Sequence, residues 1–173
     1  MYDLRIAQKG DIENVIGFYH SVIKSLGENN LPKWKIGVYP TDEYIISAIE
    51  KGELYALFDN KKIIGATVLN SCVNDGYQKV NWKVNAKSEE ILIIHILGVS
   101  AKYQGQGIGK TLLSKVIKIA KKKNKKFLRL DALKENYIAK NLYESAGFAF
   151  IQDVKLYYED TGWTDYSIFE YVL

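Results

Sequence analysis

A single cysteine, Cys72, occurs in the chain, so no internal disulfide can form and nothing argues for an oxidising compartment; a reducing cytoplasm is the expectation. No stretch approaches the ~20 apolar residues needed to span a bilayer. The opening "MYDLRIAQKGD" has neither the basic lead nor the apolar run of a signal peptide, so neither a membrane role nor a cleaved leader is expected. Net charge is small: 24 basic against 20 acidic residues give +4, too mild to announce nucleic acid or a membrane surface, and compatible with a small anionic ligand. No internal repeat is present, and the one biased tract is "KKKNKK" at 121–126. Its lysines are not interleaved with aromatics as a single-strand binder would have them, so it reads as a solvated helix end and no nucleic-acid partner is expected. No metal is expected either.

What is present suffices for one core. A chain of 173 residues that is 47% hydrophobic reads as a single domain, 1–173. "YDLRIA" at 2–7 alternates like a strand, and a helix follows whose apolar residues Ile12, Val15, Ile16, Tyr19, Val22, Ile23 and Leu26 recur at helical spacing until Gly27. Residues 27–40 have no sustained period and read as a loop offering Trp34 and Tyr39. Thr41 is placed to cap a short helix that Gly52 stops, and 53–59 with 62–70 form a predicted β-hairpin. Residues 71–90 alternate weakly in "YQKVNWKV" and then turn polar, leaving their structure open. "ILIIHILGV", 91–99, is apolar on both faces like a central strand. A helix begins near Ile108, a short strand spans 126–132, and a second helix over about 135–146 carries Ile138, Ala139, Leu142, Tyr143 and Ala146 before Gly147. Two final strands flank "EDTGWT". This order predicts a mixed α/β fold, an α+β mixed sheet flanked by helices, without regular parallel alternation.

The chemistry concentrates in "YQGQGIGKT", 103–111. Strand, glycines and helix N-terminus in succession make a site for anionic oxygens, because the first helical N–H groups lack partners and the helix dipole is positive there. Phosphate is the natural ligand. A triphosphatase P-loop requires glycine at 104, where Gln104 stands. The dinucleotide pattern G-x-G-x-x-G also fails, since Gly105 and Gly107 are followed by Lys110 at the third position.

Gln104-x-x-Gly107-x-Gly109 instead resembles the Q/R-x-x-G-x-G/A motif of the GNAT N-acetyltransferase family, whose phosphate ligand is the pyrophosphate of coenzyme A. "ENYIAKNLYESAGFAF" resembles a second signature of that family, with Asn136, Ala139, Leu142, Tyr143, Gly147 and Phe148 in register. The resemblance covers essentially the whole chain and is most specific over 91–150. It implies the acyl-coenzyme A N-acyltransferase fold, acetyl-CoA as cofactor, and transfer of the acetyl group to an amine.

On that resemblance, Leu97, Gly98 and Val99 flank the pantetheine arm, the Val99 N–H polarises the acetyl carbonyl, and Gln104, Gly105, Gln106, Gly107, Ile108, Gly109, Lys110 and Thr111 hold the pyrophosphate. Asn136 and Ala139 join the cofactor contacts, and Tyr143 donates its hydroxyl to the departing sulfur. An aliphatic amine with a pKa near ~10 needs a base at neutral pH. His95, four residues before Val99, is either that base or a packed core residue. Trp34, Tyr39, Tyr77 and Trp82 are candidate acceptor contacts, and a small primary amine or amino-acid derivative is the expected acceptor. A protein amine and a non-catalytic coenzyme A binder on the same fold stay open as alternatives. Homodimers are common in the family, and the sequence offers no independent sign of one.

Overall fold

The computed structural model describes residues 2–173. Eleven principal elements follow one another among them: β1 (Asp3–Ile6), α1 (Ile12–Leu26), α2 (Asp42–Glu50), β2 (Leu54–Asp59), β3 (Lys62–Asn70), β4 (Ile91–Val99), α3 (Ile108–Lys122), β5 (Phe127–Leu133), α4 (Tyr137–Ser145), β6 (Ala149–Tyr158) and β7 (Gly162–Val172). The strands form one mixed sheet in the order β1-β2-β3-β4-β5-β7-β6. β4 and β5 run parallel, whereas β1–β2, β2–β3, β5–β7 and β6–β7 are antiparallel. The mixed α/β class expected from the element order is the class observed.

Contacts group into two compact units. The first takes the chain up to Leu69 together with His95–Lys115. Its core unites Val15, Phe18, Tyr19 and Val22 of α1 with Ile45, Ala48 and Ile49 of α2, and with Leu54, Ala56, Ala66, Val68 and Ile96 from the strands. The apolar stripe of α1 is buried here because its period matches the helix. Thr41 caps α2 by accepting the Tyr44 N–H at 3.1 Å.

The second unit comprises Asn70–Ile94 and Val116–Leu173. Its core joins Ile91, Ile93, Phe127 and Leu133 to Tyr77, Val80, Leu156, Tyr166 and Ile168. Residues 71–90 contribute two short 3-10 turns, Asp75–Lys79 and Ser88–Glu90, and no strand. The weak alternation of "YQKVNWKV" reflects anchoring instead: the Tyr77 hydroxyl donates to Asp131 at 2.8 Å, and Trp82 lies under the Arg129 guanidinium, 3.5 Å from the ring centroid. Asn74 Nδ2 donates to the Tyr157 carbonyl at 2.9 Å, so this segment also covers part of β6.

Two boundaries differ from the sequence reading. β7 begins at Gly162, inside the expected turn, because Trp163 pairs with Tyr157 and their rings lie 5.6 Å apart. On α4, Ile138 was expected on the apolar face but is 63% exposed; the buried residue of that helix is Tyr143.

Candidate functional site

β4 carries an irregularity at its centre. Its ladder with β5 pairs Ile91, Ile93 and the intervening Leu92 with Phe127–Arg129. Beyond it Ile96 adopts φ +42°, a conformation that costs a β-branched residue on the order of 1–3 kcal/mol. Two side chains fully removed from solvent hold this segment. Thr67 Oγ1 donates to the His95 carbonyl at 2.8 Å, and the Tyr19 hydroxyl donates to the Ile96 carbonyl at 2.9 Å. Burial raises the Tyr19 phenol well above its usual pKa, which keeps it a donor. Past Ile96, burial alternates, leaving Leu97 and Val99 half-buried and Gly98 buried. Gly98 has no alternative to a small residue: an added Cβ would sit 3.4 Å from the Tyr19 ring and 3.5 Å from the Phe18 ring.

The glycine loop follows at once. The Ser100 N–H bonds the Ile64 carbonyl at 3.0 Å, and the Tyr103 hydroxyl donates to Asp59 at 3.1 Å, fixing the loop's entry. Gly105 and Gly107 take φ +73° and +74°, and nothing lies within 4 Å of a Cβ built on either. Their conformation, not crowding, requires glycine. The Thr111 N–H bonds the Gly107 carbonyl at 3.0 Å, so the turn feeds directly into α3, a fifteen-residue helix. Gln104, Gly105, Gln106, Gly107 and Lys110 are exposed, Ile108 is buried, and Gly109 and Thr111 are half-buried. An exposed turn at the N-terminus of a long helix is an arrangement that can hold anionic oxygens.

In the second unit, Asn136 caps α4, its Oδ1 accepting the Ala139 N–H at 3.2 Å. The Asn-x-x-Ala spacing of the motif is therefore a helix-capping arrangement in this chain. Tyr143, one α4 turn beyond Ala139, is buried and packs against Phe148 and Phe169 at 6.1 and 5.7 Å between ring centroids. Burial and the nearby Asp131 charge push its phenol far above the usual range, so it keeps its proton through the physiological pH range.

The remaining predicted residues divide between the units. His95 is half-buried on β4, between the buried Ile94 and Ile96. Trp34 and Tyr39 sit in the loop after α1. The Trp34 backbone is clamped by Asn30 in two bonds of 2.8 and 2.9 Å and its ring lies 6.2 Å from Tyr19, while the Tyr39 ring lies 5.9 Å from Tyr44. Tyr77 and Trp82 belong to the second unit, where the Trp82 indole N–H donates to the Tyr77 carbonyl at 3.0 Å.

Sequence reasoning passed over the group that Tyr77 meets. Asp131 of β5 accepts hydroxyls from both Tyr77 and Tyr158, at 2.8 and 2.9 Å on the same Oδ2 atom. Burial raises its pKa and the two hydroxyls oppose the rise. The aspartate inside "FLRLDA" was the available signal, since a charge in a largely apolar strand needs a partner.

The comparisons with known proteins concern the family and the fold. The acetyltransferase (GNAT) family model matches residues 19–148. The chain belongs to the GNAT acetyltransferase family. An uncharacterized N-acetyltransferase of Methanocaldococcus jannaschii is 35% identical over 75 residues, which is 43% of this chain and 33% of that relative; the match thus spans about a third of the relative's length. Among solved structures, a GNAT-family acetyltransferase of Streptococcus agalactiae superposes with a TM-score of 0.84 at 16% identity, covering 99% of this chain and 95% of the other. A protein of Salmonella typhimurium solved with its cofactor acetyl-CoA gives 0.71 at 18% identity, covering 99% and 94%. At these identities the structural likeness establishes the fold. No helix among the described residues is long and apolar enough to cross a membrane.

Proposed function

We propose that this chain is an acetyl-CoA-dependent N-acetyltransferase, moving the acetyl group from the thioester to a primary amine by direct attack, with a small amine or amino-acid derivative as acceptor. The observation that carries the reading is the loop Gln104–Thr111: two left-handed glycines, Gly105 and Gly107, open to solvent at the head of α3, a few residues after β4. Main-chain N–H groups there supply donors to a pyrophosphate without side-chain reorganisation, and Lys110 adds positive charge. Bound acetyl-CoA supplies an activated acyl carbon and a thiolate leaving group.

The chain's own residues supply the rest. Leu97, Gly98 and Val99 present backbone groups to the pantetheine arm, and the Val99 N–H polarises the acetyl carbonyl. Tyr143, protonated through the neutral range, donates to the sulfur as the C–S bond breaks. Ala139 and Asn136 line the cofactor from α4, with Asn136 acting through its cap. His95 takes the proton of the attacking amine. Trp34 and Tyr39 offer aromatic surface to the acceptor, and Tyr77 and Trp82 act by anchoring the segment over β5.

The test is to incubate the protein with acetyl-CoA and a panel of polyamines, amino acids, aminoglycosides, arylalkylamines and peptides, following release of free thiol. Acceptor-dependent thiol release with one class is the expected result. Silence across the panel with coenzyme A binding intact would contradict small-amine transfer and favour a protein amine or a non-catalytic binder.

A further inference from the structure

The main chain on either side of Ile96 is gripped from two different elements. Thr67 of β3 donates its hydroxyl to the His95 carbonyl at 2.8 Å, and Tyr19 of α1 donates to the Ile96 carbonyl at 2.9 Å. A peptide unit is planar, so a bond to its carbonyl orients the whole plane. The His95–Ile96 and Ile96–Leu97 planes meet at the Ile96 Cα, and the rotation between them is what φ and ψ of that residue describe. The two hydroxyls therefore hold Ile96 at φ +42°, a conformation unfavourable for a β-branched residue.

The direction of the grip decides what the next residues do. In a trans peptide the carbonyl and the following N–H point opposite ways. With the Ile96 carbonyl turned to the phenol of α1, the Leu97 N–H is turned away from that phenol. Neither hydroxyl has room to drift. Thr67 and Tyr19 are both fully removed from solvent. The Tyr19 ring meets Phe18 edge to face at 5.2 Å and Trp34 at 6.2 Å, and a Cβ added at Gly98 would lie 3.4 Å from it. The ladder of β4 with β5 runs over Ile91–Ile93, short of this segment. Tyr19, Thr67 and His95–Val99 all belong to the first unit.

We infer that Thr67 and Tyr19 are positioning residues of the transfer reaction: their hydroxyls set the direction of the Leu97–Val99 N–H groups and, through them, the polarisation of the acetyl carbonyl. The inference rests on the acetyltransferase reading and deepens it. Both side chains act through main chain. Hydroxyls that merely satisfied two buried carbonyls would stabilise the fold and leave the thioester's electron distribution unchanged.

The test compares the wild-type chain with Tyr19→Phe, Thr67→Val and Thr67→Ser, each checked for folding by circular dichroism. Acetyl-CoA isotopically labelled at its carbonyl carbon is bound to saturation, and the thioester C=O stretch is read by infrared difference spectroscopy; saturation separates the shift from any weakening of binding. The wild-type chain is expected to lower the stretch relative to free acetyl-CoA. Tyr19→Phe and the isosteric Thr67→Val are each expected to lose more than half of that lowering, and Thr67→Ser, which returns the hydroxyl, to keep it. Should Tyr19→Phe not fold, the Thr67 pair carries the test. A wild-type stretch in either folded hydroxyl-deleted variant, or an equal loss in Thr67→Ser, would overturn the inference and leave these hydroxyls a structural role. Coenzyme A binding is measured separately by calorimetry. A wild-type chain that binds no coenzyme A fails the acetyltransferase reading, whereas one that binds acetyl-CoA without lowering the stretch fails this inference alone.

Discussion

The two ends of the proposed chemistry are built from different materials. Around β4 and the glycine loop, the groups we propose as functional are main-chain: the N–H groups of Leu97–Val99 and of the Gln104–Thr111 turn. Side chains such as Tyr19 and Thr67 serve there as struts beneath them. Around β5 and α4 the proposed functional group is a side chain, Tyr143, packed against the Phe148 and Phe169 rings in the unit that also buries the Arg129–Glu170 pair. Main chain is a sound choice for a constant, highly charged ligand portion, because its geometry is set by φ and ψ alone. Side chains suit discrimination among acceptors, since one substitution can retune them.

The largest effect that separates the two regions is expected from Arg129→Met. It leaves Glu170 charged and buried without its partner and removes the stack on Trp82, at a cost of about 3–5 kcal/mol. Chemical denaturation measures it, and a midpoint close to wild type would mean that the side-chain region does not depend on this pair. Tyr143→Phe is next: kcat is expected to fall about 10²-fold with coenzyme A affinity nearly unchanged. The reverse pattern would make Tyr143 a packing residue.

Tyr19→Phe probes the main-chain region through its strut. Removing the hydroxyl leaves the buried Ile96 carbonyl without its donor and is expected to cost about 1–3 kcal/mol, read from the same denaturation curves. Weakened coenzyme A binding should accompany the loss if the strut sets the direction of Leu97–Val99.

The smallest effect is a pH dependence. The folded pKa of Asp131 lies above its unfolded value, chiefly through burial. Its contribution to stability is therefore full below the unfolded pKa, about 3.9, and is lost as pH rises through the folded value. Asp131→Asn is expected to lose this dependence and to gain on wild type between acid and neutral pH in thermal melts. Parallel pH profiles for the two proteins would contradict the assignment.

The same contrast explains what could be read from the sequence. The glycine loop was legible because left-handed turns at a helix head demand glycine at fixed spacing, and Gly105 and Gly107 adopt that conformation. α1 was legible because its apolar period is its burial pattern. Residues 71–90 were not, because what fixes them is tertiary: Tyr77 on Asp131 and Trp82 under Arg129 join positions about fifty residues apart, with no local periodicity. Asp131 was missed for that reason, and Ile138 was misplaced because an exposed isoleucine at helical spacing looks the same as a buried one.

The central claim is that main chain of the glycine loop binds the pyrophosphate of coenzyme A, and Gly107→Val tests it most directly. A Cβ at Gly107 meets no neighbouring atom, but φ +74° is strained for a β-branched residue, so the loop should change conformation while the rest of the chain stays folded. Calorimetric titration with coenzyme A, alongside circular dichroism, should show binding by the wild-type chain and none by a Gly107→Val variant with an unchanged spectrum. Wild-type affinity in that variant would contradict the account.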